Sequence, residues 1–193
     1  MPRPREFDES VALEKAMETF WRGGYEDTSY DDLVSATGVS RYGLYSVFGD
    51  KKELFLRALD QYIAEKRCQM MGPLMEKGAS LPAIHYYFEV MKKNIGSPES
   101  RAGCMFCNAA LELSAFDQQA AERVTRAFVE IKKSMKAALS NAKKKGEINK
   151  GKSPEALSDF LLGLMLGAAS MARTPIGNKQ IINYIDTGLA TLK

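Results

Sequence analysis

The sequence is poor in the residues on which most catalytic and metal centres depend. Its 193 residues include a single histidine, His85, and only three cysteines. One histidine excludes a histidine-rich metal site, and a Ser-His-Asp triad would have to use His85, which is crowded by Tyr86 and Tyr87. A glycine-rich phosphate loop is also missing, because Gly163 and Gly167 lie inside a helical pattern. These absences argue against an enzyme and against a bound cofactor.

Long apolar runs and secretion signals are absent as well. A membrane helix needs about 20 apolar residues, whereas the longest candidate, Phe160 to Ala172, is shorter and is followed by Arg173. The first ten residues contain no apolar segment typical of a signal peptide. Three cysteines, an odd number, do not form a disulfide framework and fit a reducing compartment better. We therefore expect a cytoplasmic protein without a membrane span.

Positive charge is scarce in the first part of the chain. Residues 1–60 carry eight Lys and Arg against twelve Asp and Glu, a net charge of −4, whereas residues 61–193 carry nineteen against twelve, a net charge of +7. Overall charge alone would not suggest DNA binding by the N-terminal part, which needs cations gathered on one face with the carboxylates turned away. The candidates for such a face are Arg3, Arg5, Arg41, Lys51 and Lys52.

Helical periodicity dominates the pattern, and no segment reads convincingly as a strand. Asp8 is expected to cap a first helix that ends at Gly23-Gly24, with Trp21 and Tyr25 in the core of a small N-terminal domain. The sequence predicts an all-α fold of about nine helices. After the N-terminal region, the predicted helices run to about Met71, from Ser80 to Ile95, from Cys104 to Leu113, from about Asp117 to Lys145, from Ser153 to Ala172 and from about Asn178 to Leu192.

The stretch from Gly24 to Leu54 predicts two short helices joined by a tight turn, followed by the start of a third helix. Thr28 and Ser29 can each cap the first helix, with Asp31 and Asp32 three residues later as in a capping box. Gly38 can adopt the positive φ that often ends a helix. Ser40 can cap the second helix at once, and an Asp50 cap opens the third. Two such helices joined by a glycine-containing turn are typical of a helix-turn-helix.

This stretch resembles the DNA-binding region of the TetR family of transcriptional repressors. The matched residues are Gly24, Tyr25, Thr28, Ser29, Asp32, Leu33, Gly38, Val39, Ser40, Leu44, Tyr45, Phe48, Lys51 and Leu54. The resemblance implies a helix-turn-helix DNA-binding domain over residues 1–52 and a larger helical domain over residues 53–193 that senses a ligand and dimerises. It further implies a homodimer that binds a palindromic double-stranded DNA operator and leaves it when a small-molecule effector binds.

The resemblance also assigns DNA contacts position by position. Arg41, Tyr42 and Gly43 match positions at which family members touch base edges. Thr28, Tyr45 and Lys51 match positions that hold phosphates. Val47 departs from the family, because many relatives carry histidine or another polar residue there, and Ser46 is the expected substitute. Chemically, an arginine can make a bidentate contact to guanine, and a lysine in the first turn of a helix suits a phosphate.

An effector pocket is implied in the larger domain, and its ligand is expected to be apolar or aromatic. Each candidate also fits a helix-bundle core by its spacing alone. The candidate lining residues are Tyr62, Tyr86, Tyr87, Met91, Phe106, Asn108, Glu112 and Phe128.

The Cys104-x-x-Cys107 pair leaves two alternatives open. Both thiols share one helix face and could sense oxidants or electrophiles, or they could be small buried apolar groups. Zinc is not expected, since Cys68 is the only other cysteine and a structural site takes four ligands. The alternative function is accordingly a helical ligand-binding or redox-sensing module that uses Cys104 and Cys107 and binds no operator.

Two apolar stripes near the C-terminus predict the dimer interface. A helix that is apolar on two sides must be covered on both, so one side would face a second subunit. The alternative is that both stripes are buried within a single subunit. The predicted interface residues are Leu157, Phe160, Leu161, Leu164, Met165, Ala168, Ile181, Ile182, Ile185 and Leu189. Ala168→Arg is the substitution expected to give a monomer.

Overall fold

All regular structure is helical in residues 7–95, 97 and 101–192, which the computed structural model describes. A π-helical turn, Arg67–Met71, joins α4 to α5, so these segments form one continuous helix. Because α4 and α5 count as one helix, the described residues contain nine separate helices, which confirms the predicted all-α fold. The α-helices are α1 Glu9–Gly23, α2 Tyr30–Thr37, α3 Arg41–Phe48, α4 Lys51–Lys66, α5 Gly72–Met75, α6 Leu81–Ile95, α7 Met105–Glu112, α8 Gln118–Lys145, α9 Pro154–Ala172 and α10 Asn178–Ala190.

Side-chain caps fix where the N-terminal helices begin. Asp8 accepts hydrogen bonds from the amides of Ser10 and Val11 at the start of α1. Ser29 and Asp32 form a complete capping box at α2, and Asp50 forms another with Glu53 at α4. Each cap satisfies amides that would otherwise lack a partner, and such a cap typically contributes about 1 kcal/mol. These local signals are the reason that the helix starts agree with the sequence.

The first half of α4 completes the core of the helix-turn-helix unit. The ring of Phe55 packs edge-on against Phe20 of α1, with 5.1 Å between ring centroids. Leu33 of α2, Leu44 of α3 and Leu54 of α4 are fully buried. Burying each of these side chains contributes roughly 1.5–3 kcal/mol. The remainder of α4 continues towards α7 and α8, so a single helix carries both parts of the molecule.

The Gly72-Pro73 pair does not end the helix as the sequence suggested. Pro73 instead lies in the first turn of α5. The chain reaches this turn through the π-helical segment Arg67–Met71. π-Helical turns are uncommon and occur frequently at functional sites.

The long helix α8 forms the spine of the C-terminal part. It extends over 28 residues and packs along α9, which in turn packs on α10. Among the described residues, α9 is the one helix with the length and apolarity of a membrane span, and it is longer than the run considered from sequence. Leu161, Leu164 and Ala168 are buried in the protein interior, as in the core helix of a folded domain.

Candidate nucleic-acid interface and effector cavity

The helix-turn-helix is held at its turn by one glycine and one buried valine. Gly38 has φ 72°, in the left-handed region that ends α2 and that favours glycine. Val39 is 7% exposed, and its amide donates to Thr37 Oγ1 at 3.1 Å. Ser40 Oγ then accepts the amide of Gly43 at 3.1 Å and starts α3. The turn therefore fixes the orientation of α3 relative to α2.

Helix α3 divides into a buried side and an exposed side. Leu44 and Phe48 are buried, whereas Tyr42 is 83% exposed and Tyr45 is 60% exposed. The Arg41 side chain is also largely solvent-accessible. Two exposed tyrosines and an arginine on one short helix can contact base edges and phosphates. Arg41, Tyr42 and Tyr45, which the resemblance assigns to DNA contacts, therefore lie on the exposed side of α3.

Gly43 has a packing role beside any role in DNA contact. A Cβ atom at this position would lie 2.9 Å from Cγ1 of Val39 and 3.3 Å from a ring carbon of Phe7. The absence of a side chain thus lets α3 approach the segment that precedes α1. Val47 is half-buried and packs against the core, so an apolar residue suits its surroundings.

Arg41 is held by the neighbouring helix. Its Nη2 lies 2.7 Å from Asp31 Oδ1, and its guanidinium stands 5.2 Å from the centre of the Tyr30 ring. Exposed ion pairs of this kind contribute little to stability. Arg41 can therefore exchange Asp31 for a base edge at small cost, but Asp31 competes with DNA for it.

The two lysines at the start of α4 point to different partners. Lys51 Nζ donates to the carbonyl oxygen of Glu26 at 3.2 Å and lies 4.6 Å from the centre of the Tyr25 ring. Lys52 Nζ instead lies 3.1 Å from Asp117 Oδ2, at the cap of α8. The expectation that Lys52 joins a DNA-facing cluster is wrong, because this ion pair turns it towards the C-terminal part. Arg3 and Arg5 lie outside the described residues.

Thr28 is placed differently from the sequence expectation. Its side chain is buried, and its hydroxyl donates to the carbonyl oxygen of Gly24 at 2.6 Å. A hydroxyl used in this way is not presented to a phosphate, so the assignment of Thr28 as a side-chain phosphate contact is corrected. Ser46 also donates its hydroxyl to a carbonyl oxygen, that of Gly43 at 2.9 Å. Unlike Thr28, Ser46 is exposed, so its side chain remains accessible on α3.

A cavity of about 310 Å³ lies between α4, the π-helical turn, α6, α7, α8 and α9. Four of the eight candidate residues line it: Tyr62, Tyr87, Met91 and Phe106. The Tyr87 hydroxyl donates to Sδ of Met165 at 2.9 Å, and burial raises the pKa of Tyr87. The described residues contain no cluster of three potential metal ligands. The surface of the cavity is mainly apolar.

The other four candidates lie elsewhere. Tyr86 is 46% exposed on the outer side of α6, and Phe128 packs behind Phe106 with 5.3 Å between ring centroids. Asn108 is buried and donates to the carbonyl oxygen of Ala102. Glu112 accepts the amide of Tyr25 at 3.0 Å and pairs with Arg173. These side chains are structural, and their assignment to the pocket is corrected.

Sequence reasoning missed several wall residues that come from distant segments. Trp21 of α1 lines the cavity, and its Nε1 donates to the carbonyl oxygen of Gly103 at 2.9 Å. Trp21 therefore lies between the two parts of the molecule rather than in the core of the N-terminal one, whereas Tyr25 packs against Phe20 and Phe55 as expected. The missed wall also includes Lys66, Arg67, Met70, Met71, Cys104 and Cys107.

The predicted dimer stripes are mostly used within the subunit. Seven of the ten residues are buried in the single chain, and Ile185 and Ala168 are fully buried. The assignment of these seven to an interface is corrected, and Ala168→Arg would disturb folding rather than assembly. The seven are Leu161, Leu164, Met165, Ala168, Ile181, Ile185 and Leu189. Phe160 is 43% exposed, whereas Leu157 and Ile182 are half-buried.

Together, the three-helix unit with its exposed α3 and the helical domain with its cavity define a helix-turn-helix transcriptional regulator. Residues 12–58 match the family described as "Bacterial regulatory proteins, tetR family", and residues 80–181 match "Tetracyclin repressor-like, C-terminal domain". The chain therefore belongs to the TetR family of DNA-binding transcriptional regulators, which are not enzymes.

Relatives and solved structures agree with this membership. The uncharacterized HTH-type transcriptional regulator YezE of Bacillus subtilis is 30% identical and is aligned over 100% of both chains. The HTH-type transcriptional repressor ComR of Escherichia coli is 30% identical, over 97% of this chain and 90% of ComR. A cysteine variant of the TetR family regulator CifR in complex with 26-bp operator DNA has a TM-score of 0.86 at 22% identity, over 99% of this chain and 100% of the CifR chain.

Proposed function

We propose that this chain is a cytoplasmic, homodimeric repressor that binds a palindromic operator and leaves it when a small molecule occupies the cavity. The observation that carries the proposal is the exposed side of α3, where Arg41, Tyr42 and Tyr45 project from a rigidly capped helix. The relative ComR, described as a repressor, and the DNA-bound CifR variant support it by similarity. We take residues 1–52 as the DNA-binding domain and residues 53–193 as the sensing domain, with Leu54 and Phe55 beyond this boundary still packing in the core of the DNA-binding unit.

The DNA contacts follow from the side chains on this face. Arg41 would release Asp31 and form a bidentate contact with guanine, while Tyr42 and the bare backbone at Gly43 meet neighbouring base edges. Tyr45 and Ser46 offer hydroxyl donors to phosphates. Lys51 adds charge at the first turn of α4, where the helix amides also favour an anion.

A palindrome requires two α3 helices held about 34–36 Å apart, or a multiple of this distance. The outer side of α9 offers a surface for the second subunit, because it exposes Phe160, Gly163 and Ser170 and half-exposes Gly167. In the described part of the chain, no atom lies within 4 Å of a Cβ atom built on Gly163, so another helix can approach closely there. We assign the dimer interface to this outer side of α9 and the adjoining side of α10.

Effector release follows from how the cavity meets the DNA-binding unit. The cavity is lined by Tyr62, Tyr87, Met91 and Phe106 together with Trp21, which belongs to α1. A ligand that moves Trp21 therefore acts on α1 and, through the α1–α2 packing, on the helix-turn-helix. Such coupling between two sites amounts to roughly 5–150-fold in affinity.

A gel shift tests the proposal. The purified protein is titrated onto a duplex from the region upstream of its own gene and onto a shuffled duplex of the same length. We expect the upstream duplex to bind at least about 10³-fold more tightly at physiological salt, with two chains per site. Equal binding of both duplexes would favour the alternative function, a helical module that binds no operator. In that case Arg41 stays paired with Asp31, and the net charge of −4 on residues 1–60 repels DNA.

A further inference from the structure

The two thiols of the CxxC pair lie together in the cavity wall. Cys104 occupies the N-cap position of α7, Cys107 lies in the first turn of this helix, and both line the cavity of about 310 Å³. The spacing of three residues places both thiols on the same face of the helix, and Tyr62 lines the same cavity. Both cysteines are free, and the third cysteine, Cys68, is exposed and does not line the cavity.

The surroundings give the two thiols different chemistry. Burial raises the pKa of Cys104, but the Cys107 thiol, the first amides of α7 and the Tyr62 hydroxyl lower it by more, so its pKa lies below the usual range. Donation to Cys104, together with burial, raises the pKa of Cys107. Because Cys104 lies at the N-terminus of α7, where the helix amides favour a thiolate, it is the candidate nucleophile, and Cys107 is the candidate resolving thiol. A reactive thiol next to a second thiol is the usual arrangement of a cysteine that reacts with peroxides and is resolved by a disulfide.

The helix that carries this pair is tied to the DNA-binding unit at both ends. Gly103, directly before Cys104, accepts the Trp21 indole hydrogen bond at 2.9 Å. Glu112, the last residue of α7, accepts the amide of Tyr25 at 3.0 Å. Gly103 has φ 68°, and a Cβ atom there would stand 2.7 Å from Cγ of Arg173, so this position requires glycine. A change at Cys104 is therefore transmitted directly to α1.

We propose that Cys104 is a reaction site for small organic hydroperoxides and that closure of a Cys104–Cys107 disulfide releases the protein from its operator. This inference rests on the proposed function and names the class of its effector. The largely apolar cavity wall favours an organic hydroperoxide over hydrogen peroxide.

The reaction balances without a further partner. The Cys104 thiolate attacks the terminal oxygen of R–O–O–H, the O–O bond breaks, and the alkoxide takes the proton that Cys104 lost, which gives a sulfenic acid and the alcohol R–OH. Cys107 then attacks the sulfenic sulfur, an S–S bond forms, and its proton leaves with the hydroxide as water. Two thiols are oxidised by two electrons, and one hydroperoxide is reduced to one alcohol and one water.

Disulfide closure acts on DNA binding through the Gly103 carbonyl. Drawing Cys104 Sγ towards Cys107 shifts the adjoining backbone at Gly103, whose carbonyl oxygen accepts the Trp21 indole hydrogen bond. The loss of this contact frees α1, and with it the position of α3. We expect the oxidised protein to bind its operator at least about tenfold more weakly.

The test treats the reduced full-length protein, bound to its operator, with cumene hydroperoxide and follows it by gel shift and intact-mass measurement. Wild type and the matched control Cys68→Ser should lose two hydrogen masses, leave the DNA and return with dithiothreitol. Cys104→Ser should stay bound and unmodified. Cys107→Ser should stop at a sulfenic acid that dimedone traps, without a disulfide.

Several outcomes would overturn the inference. It fails if wild type gains no Cys104–Cys107 disulfide, if the disulfide forms while operator affinity stays the same, or if Cys68→Ser abolishes the response. Modification of Cys104 by quinones or enals alone, with no reaction with hydroperoxide, would also overturn it in favour of an electrophile sensor. The reduced protein reports on the proposed function separately, because failure of the untreated protein to bind the operator leaves the mass measurement unaffected.

Discussion

The DNA-reading surface and the cavity differ in the length of chain from which each is assembled. Ser29, Gly38, Ser40 and Asp50 set the helix-turn-helix through caps and a turn that lie within about twenty residues of one another. The cavity takes its walls from α1, α4, α6, α7, α8 and α9, over a separation of some 150 residues in the sequence. A surface built from local signals is specified by local sequence, whereas a cavity is specified by how whole helices pack.

The largest effect should come from breaking the proposed dimer, on which the reading of an operator by two α3 helices depends. Gly163→Arg places a long cation on the exposed side of α9. A Cβ atom at this position has no other described residue within 4 Å, so the subunit itself should still fold. Because each operator would then be read by a single subunit, we expect affinity to fall by about 10²-fold or more.

Light scattering and the gel shift measure this effect together. Ala137→Arg on the exposed side of α8 is the matched control and should remain a dimer with wild-type affinity. A dimeric Gly163→Arg variant would place the interface elsewhere.

The next effect separates base reading from charge on α3. Arg41→Ala should cost about 1–3 kcal/mol of operator binding and relax specificity at one base pair in each half-site. Asp31→Asn should do the opposite and tighten binding, because it removes the carboxylate that pairs with Arg41 at 2.7 Å. Competition gel shifts with single-base operator variants measure both substitutions. A uniform, sequence-independent loss for Arg41→Ala would contradict its assignment to base reading.

A smaller effect should follow from removing a phosphate contact. Lys51→Ala should weaken binding to all sequences by a similar factor, because the lysine is proposed to contact a phosphate of the DNA backbone and not a base. The slope of log K against log salt should fall by about 0.9. Lys52→Ala serves as the control, since its ammonium group pairs with Asp117, and its salt slope should match that of wild type. Equal slopes for wild type and Lys51→Ala would remove Lys51 from the interface.

The smallest effect concerns the ion pair between the two regions. The Ala120 amide, followed by Lys52, holds the pKa of Asp117 below its ordinary value of 3.8. A carboxyl whose folded pKa is depressed contributes stability above the unfolded pKa and loses it as pH falls through the folded pKa. Asn can keep the cap, so Asp117→Asn should cost at most about 1 kcal/mol at pH 7.

Urea denaturation checks this at two pH values. The difference between wild type and Asp117→Asn should disappear when the pH is lowered well below 3.8, since both side chains are then uncharged. A loss of the same size at acidic pH would show that the cap, and not the charge, stabilises the contact.

The sequence predicted the helices and the helix-turn-helix well because caps, turns and periodicity are local. It placed Thr28 wrongly for a local reason, because its hydroxyl donates to the carbonyl oxygen of Gly24. Lys52, Glu112 and Ala168 were placed wrongly for another reason, their contacts with residues distant in the sequence. The partner of Lys52 is Asp117 on α8, and the partner of Glu112 is the amide of Tyr25 on the other side of the molecule. A pattern read along one helix shows which side is apolar, but not whether its own subunit covers that side, as happens at Ala168.

The position of Trp21 has a practical consequence for experiments on this protein. It is the only tryptophan in the chain, it lines the cavity, and its indole nitrogen donates to Gly103. Lys66 Nζ also stands 5.5 Å from its ring. The intrinsic fluorescence of the unlabelled protein is therefore a built-in optical reporter of this one hydrogen bond, and its emission should shift whenever a molecule enters the cavity or the link to α1 opens.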